Sequence, residues 1–179
     1  MRIVGGDFGG RRFNPPAGIP ARPTTDVAKE GLFNILQNMM DIEGIKTCDL
    51  FGGTGSISYE LASRGANDLT LVERDAQSIA FIKKTAEELG INEQLHIIRG
   101  DVFKFIKQST DQYDFIFAGP PYALQNIDDL PLLVFEKKML KSKGIFVLEH
   151  TPRNDYQQHP NFLKMKNYGT TVFTFFKQP

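Results

Sequence analysis

Asp49-Leu50-Phe51-Gly52-Gly53-Thr54-Gly55 puts an acid immediately ahead of three closely spaced glycines. Before it, Ile45–Phe51 reads as a short buried strand. After it, Ile57 and Leu61 are four apart on one helix face, and Gly65 is placed to end that helix. A glycine-rich turn from strand to helix can take positive φ, let a ligand approach the main chain, and present the amides of the first helical turn. Such a turn also occurs with no ligand. The spacing Gly52, Gly53, Gly55, with Ser58 following, does not make the G-x-G-x-x-G dinucleotide fingerprint, and no lysine marks a phosphate-binding loop. Asp49 would repel a pyrophosphate but attract a cation. The chemistry therefore points to S-adenosylmethionine, with its sulfonium and amino groups, over NAD or ATP.

Three further sites carry chemistry. Glu73, eighteen residues after Gly55, can accept hydrogen bonds from ribose hydroxyls; otherwise it is a solvated turn acid paired with Arg74. Asp101, after Gly100, can accept from an adenine amino group, cap the following helix, or do both. Gly119-Pro120-Pro121-Tyr122 is a turn whose two prolines offer carbonyl oxygens and no N–H, which suits an amine that must give up a proton. Tyr122 can stack on a planar base.

These residues fall at the ends of alternating elements. A helix capped by Thr24 or Thr25 runs to about Met39, with Leu32, Ile35, Leu36 and Met39 on one stripe. Leu69–Val72 is a strand ending at Glu73, and Asp75 caps a helix with Ile79, Ile82, Ala86 and Leu89 on one face before Gly90. Leu95–Ile98 is a strand ending before Asp101, and a short helix follows with Val102, Phe105 and Ile106 inward. Tyr113–Ala118 is a strand, Leu130–Leu140 a helix, Lys143-Gly144 a turn, and Ile145–Leu148 a strand. The chain closes on an antiparallel hairpin around Tyr168-Gly169. Alternation of this kind predicts an α/β, Rossmann-like fold: a mostly parallel sheet with helices on both faces and an antiparallel C-terminal hairpin. Ligands in such folds bind beyond the carboxyl ends of the strands. Asp49–Gly55, Glu73, Asp101 and Gly119–Tyr122 would then share one edge and form one site.

Residues 1–23 read as a basic arm ahead of a domain at 24–179. Arg2-Ile3-Val4 and Arg11-Arg12-Phe13 flank the turn-rich Gly5–Gly10 as a small β-hairpin, and a proline-rich extended stretch follows to Pro23. The net charge is zero, but the first 25 residues carry Arg2, Arg11, Arg12 and Arg22 against Asp7 alone. One cysteine excludes an internal disulfide and suits a reducing cytoplasm. Met1–Gly6 opens no apolar signal region, and no apolar run is long enough to span a membrane.

Asp49–Gly55, Val72-Glu73-Arg74-Asp75, Gly100-Asp101 and Pro120-Pro121-Tyr122 together resemble the class I S-adenosylmethionine-dependent methyltransferases of exocyclic amines. Met1–Gly6, Gly10-Arg11-Arg12, Arg22-Pro23-Thr24-Thr25-Asp26, Glu149-His150 and the Tyr168-Gly169 hairpin narrow the likeness to the RsmD family, over nearly the whole chain. The resemblance implies methylation of a guanine N2 in 16S rRNA of the small ribosomal subunit, by a cytoplasmic monomer with no metal. It implies cofactor contacts from Thr24, Thr25, Asp49, Phe51, Gly52, Gly53, Gly55, Glu73, Arg74, Asp101 and Val102. It implies catalysis at Gly119, Pro120, Pro121 and Tyr122, and RNA contacts from Arg2, Arg11, Arg12 and Arg22. The chain departs from the family at Gly119, where relatives carry an Asp whose side chain accepts a hydrogen bond from the target amine. That departure leaves open a non-catalytic cofactor- and RNA-binding assembly factor. An amine methyltransferase acting on DNA adenine or protein glutamine, with a similar Pro-Pro-Tyr loop, is a third reading.

Overall fold

A computed structural model describes residues 1–179. Five helices and seven strands alternate as α1 (Asp26–Met39), β1 (Lys46–Leu50), α2 (Ser56–Ser63), β2 (Asp68–Glu73), α3 (Ala76–Leu89), β3 (Leu95–Arg99), α4 (Val102–Gln108), β4 (Tyr113–Ala118), α5 (Asp129–Glu136), β5 (Leu140–His150), β6 (Phe162–Tyr168) and β7 (Thr171–Lys177). The strands form one sheet in the order β3-β2-β1-β4-β5-β7-β6. β3 through β5 run parallel, and β7 pairs antiparallel with both β5 and β6. The order reverses between β1 and β4, and a crevice opens at such a point beyond the strand ends.

Strand alternation feeds two cores. On one face Phe115, Phe117, Ile145 and Val147 meet Leu32 and Leu36 of α1, Ile57 and Leu61 of α2 and Ile82 and Ala86 of α3. On the other, Cys48, Leu50, Ile116, Phe146 and Leu148 meet Val102 and Ile106 of α4 and Leu130 and Val134 of α5. No helix is long and apolar enough to cross a membrane.

Two expected elements differ. The helix expected over Leu130–Leu140 ends at Glu136, and Leu140 already belongs to β5. Lys143-Gly144, expected as a turn, lies within β5: Lys143 has φ +65°, and the pairing with β4 shifts register between Tyr113 and Phe115. The signals read as a turn mark a bulge, which needs the same left-handed backbone. On α1, Phe33 is buried in addition to Leu32 and Leu36, and Ile35 is only half-buried.

The N-terminal hairpin pairs Arg2 with Arg12, and the Ile3 and Phe13 side chains complete the first core. Its main chain is tied to α2. Val4 and Gly5 donate N–H groups to the Glu60 carboxylate, each at 2.9 Å, and Phe8 N–H donates to Ser63 Oγ at 2.9 Å. Glu60 has no solvent exposure and also meets Arg64 Nε at 2.9 Å and Lys29 Nζ at 3.5 Å.

Candidate functional site

A cavity of about 940 Å³ opens beyond the carboxyl ends of β1, β2, β3, β4 and β5. The Asp49–Thr54 turn, Glu73, Asp101 and Gly119–Tyr122 all line it, so the four separated stretches do meet.

The turn is shaped by two different demands. Gly55, at φ +85°, caps α2 in a left-handed conformation. Gly52 lacks positive φ but has no room for a side chain, since a Cβ there would lie 2.3 Å from Leu71 Cδ2. Phe51 itself takes φ +63°, a conformation uncommon for a bulky residue and often found at ligand sites. Gly55 stands behind the cavity wall, whereas Phe51, Gly52 and Gly53 form it.

Asp49 is 2% exposed at the cavity floor, and Ser58 is the residue that hydrogen-bonds its carboxylate, with Oγ donating at 2.8 Å. Burial pushes its pKa up to about 7; the Ser58 hydroxyl pulls the other way and the nearby Glu73 charge adds to the rise. A cationic ligand would stabilise its ionised form. Glu73 is anchored by main chain: Oε1 accepts from Gly53 N–H, and Oε2 accepts from Arg74 N–H and Asp75 N–H, all at 2.8 Å. Three donors fix the carboxylate and leave lone pairs toward the cavity. Asp101 caps α4, accepting from Lys104 N–H at 3.0 Å, with its side chain at the cavity rim. Arg74 and Val102 line the same end.

After β4, the Pro121 carbonyl accepts Leu124 N–H at 3.0 Å, while no hydrogen bond engages the Pro120 carbonyl. Tyr122 Oη meets Thr171 Oγ1 at 3.1 Å, which fixes the ring, and the Arg22 guanidinium lies 3.6 Å over the ring centre. Arg22 also pairs with Glu149. Thr24 Oγ1 donates to Glu149 Oε1 at 2.7 Å.

Some of the expected site residues lie outside the cavity. Thr25 does not line the cavity, because its hydroxyl caps α1 by accepting Ala28 N–H at 3.2 Å. Arg2 pairs with Asp26 at 3.3 Å, and its carbonyl receives Lys29 Nζ. Arg11 donates to the Glu88 carbonyl at 3.3 Å, and Arg12 lines a second groove with Lys84 and Phe81. Arg22 lies inside the cavity, apart from the other three. Glu149 was missed as a site residue. It follows the expected strand Ile145–Leu148, so the same rule of strand ends would have found it.

The family model described as conserved hypothetical protein 95 matches residues 1–177. The chain belongs to the RsmD family. Among relatives of this RsmD-family chain, the Bacillus subtilis protein YlbH is 30% identical over 184 residues, covering 99% of each chain. The ribosomal RNA small subunit methyltransferase D of Haemophilus influenzae is 29% identical over 178 residues, covering 98% of this chain and 91% of that one. Among solved structures, yhhF from Escherichia coli is similar with a TM-score of 0.87 at 24% identity, over 99% of this chain and 97% of that one. That likeness covers the RsmD fold from the N-terminal hairpin to β7.

Proposed function

We propose that this chain transfers a methyl group from S-adenosylmethionine to the exocyclic N2 of a guanine in 16S rRNA of the small ribosomal subunit, acting as a cytoplasmic monomer. S-Adenosylmethionine-dependent rRNA methylation is the activity its family membership carries; the guanine N2, the small subunit and the residue roles below are the proposal. One observation supports it most: a cationic-ligand floor, a ribose-type acid and an amine-type proline loop share one cavity.

Asp49 would face the positive end of the cofactor, Glu73 the ribose and Asp101 the adenine, along the walls formed by Phe51–Gly53, Arg74 and Val102. When bound, S-adenosylmethionine supplies a sulfonium methyl that passes to the amine, sulfur keeping the electron pair of the broken bond and the amine releasing a proton. No covalent nucleophile from the protein is needed; orientation alone can supply about 7–11 kcal/mol. The Pro120 carbonyl would accept from the amine, and Tyr122 would stack on a guanine turned out of its helix. Arg2, Arg11 and Arg12 would meet RNA phosphates.

The test is transfer of labelled methyl to unmodified small subunits, free 16S rRNA, DNA and protein, with the product base identified by mass spectrometry. N2-methylguanine in the RNA is expected. Cofactor binding without transfer would instead support an assembly factor, and label in DNA or protein would overturn the substrate assignment.

A further inference from the structure

Gly119 leaves the proline loop without the side-chain acceptor that its family carries, yet the place is not without a carboxylate. A Cβ built on Gly119 would lie 4.0 Å from Glu149 Oε1. Glu149 is 1% exposed and belongs to β5, which is hydrogen-bonded on both sides by β4 and β7. Its position is therefore set by the sheet. Its partner is less constrained: Arg22 is 35% exposed and sits on the irregular proline-flanked segment before α1.

The group on Tyr122 is informative in its shape. A guanidinium is planar and presents paired N–H donors to a carboxylate. Guanine contains the same fragment: N1–H and N2–H lie side by side around C2. Adenine and cytosine each offer one donor beside an acceptor, and uracil offers one donor between two acceptors. Arg22 thus occupies the place a guanine would take here: its plane lies on the Tyr122 ring, and its Nη2 donates to Oε2 of a buried carboxylate.

We propose that Glu149 is the guanine-reading carboxylate of this site, and that Arg22 holds its place until the base arrives. This rests on the guanine N2 reading above. Glu149 accepts N1–H and one N2–H of the target; the Pro120 carbonyl accepts the other N2–H. Two in-plane acceptors on N2 leave its lone pair directed out of the base plane, toward the methyl. Thr24 keeps Glu149 Oε1 oriented throughout. Arg22, displaced with its charge unpaired, is then available to the phosphate of the same nucleotide. Glu149 supplies from β5 the acceptor that Gly119 does not supply from the loop.

The experiment compares wild type, Glu149→Gln, Arg22→Gln and Glu149→Gln with Gly119→Asp on unmodified small subunits, with S-adenosylmethionine affinity and melting temperature measured for each. Glu149→Gln is expected to lower the transfer rate by at least about 100-fold, by analogy with removal of one preorganised polar group, at unchanged cofactor affinity. Arg22→Gln is expected to lose no more than about tenfold, the scale of one phosphate contact. Gly119→Asp in the Glu149→Gln background should regain at least about tenfold, because it returns a carboxylate beside the lost one after a small shift of the Phe117 ring, whose Cε1 would lie 3.0 Å from the new Cβ. Equal losses in the two single variants, or no recovery in the double variant, would mean that the pair is only a clamp. A binding measurement stands apart from turnover. Millimolar guanosine monophosphate should shift the Arg22 Nε–H resonance, and adenosine monophosphate should not. Equal responses, or none to guanosine monophosphate, overturn the inference even if wild type methylates guanine. A guanosine-specific response without methyl transfer would retain it as a binding site and sink the proposed activity.

Discussion

Glu60 and Asp49 are both buried carboxylates on one side of the sheet, and they are treated in opposite ways. Glu60 receives two backbone amides, Arg64 and Lys29. Asp49 is met by one neutral residue, Ser58, and by no cation. The first is a completed structural joint between the N-terminal hairpin, α1 and α2. The second is incomplete: without a partner the carboxyl holds its proton to about pH 7, and under the proposed function the cationic cofactor would be the partner that ionises it. Burial alone does not identify a functional acid; the balance of its partners does.

The largest expected effect is at the completed joint. Glu60→Ala would strand the buried Lys29 and two amide donors, and a loss of about 3–5 kcal/mol is expected in urea unfolding. A loss under about 1 kcal/mol, the value of an exposed pair, would erase the contrast.

At the incomplete joint stability and binding should move in opposite directions. The folded pKa of Asp49, about 7, lies above the value of about 4 for an unfolded carboxyl. The native state holds the proton between those limits, so stability falls as pH rises from about 4 to about 7 and is level above. Asp49→Asn should remove that slope and stabilise the empty protein above neutrality. It should also weaken S-adenosylmethionine binding by about 1.5–3 kcal/mol, the value of a contact with a charged group, and abolish the rise in affinity expected as pH passes through about 7. Calorimetry across pH checks both parts, and unchanged affinity would remove Asp49 from the cofactor.

Glu73 lies between these extremes, held by three amides yet facing the cavity. Glu73→Gln keeps acceptor capacity and loses charge, so a calorimetric affinity loss of about 0.5–1.5 kcal/mol is expected. The smallest effect concerns the hairpin that Glu60 secures. Arg11→Ala with Arg12→Ala should reduce the salt slope of RNA binding by about 2, one per phosphate contact, with cofactor affinity unchanged. An unaltered slope would leave the hairpin a structural role alone.

This contrast explains what could be read from the chain beforehand. Asp49, Glu73, Asp101 and the proline loop were legible because each sits beside its own local signal, a strand end with glycines, a cap or prolines. Glu60 was not, since a charge on a helix ordinarily faces water and its partners Val4 and Gly5 are more than fifty residues away. The Arg22–Glu149 pair spans 127 residues and was invisible for the same reason. Thr24 and Thr25 could not be told apart as a cap, and only the register of α1 gives Thr25 that role. The bulge at Lys143 was misread because a turn and a bulge use the same backbone region.

The place of β7 has a consequence for how damage to this chain would spread. It is the last strand in chain order, yet it lies inside the sheet between β5 and β6. A nick before Thr171 would therefore leave two orphaned rows of main-chain groups rather than one. β6 would have no other neighbour, and β5 would become an open border with Phe146 and Leu148 beside it. Such borders recruit strands from other molecules. Loss of this one seven-residue strand would turn a self-limited sheet into one that can grow.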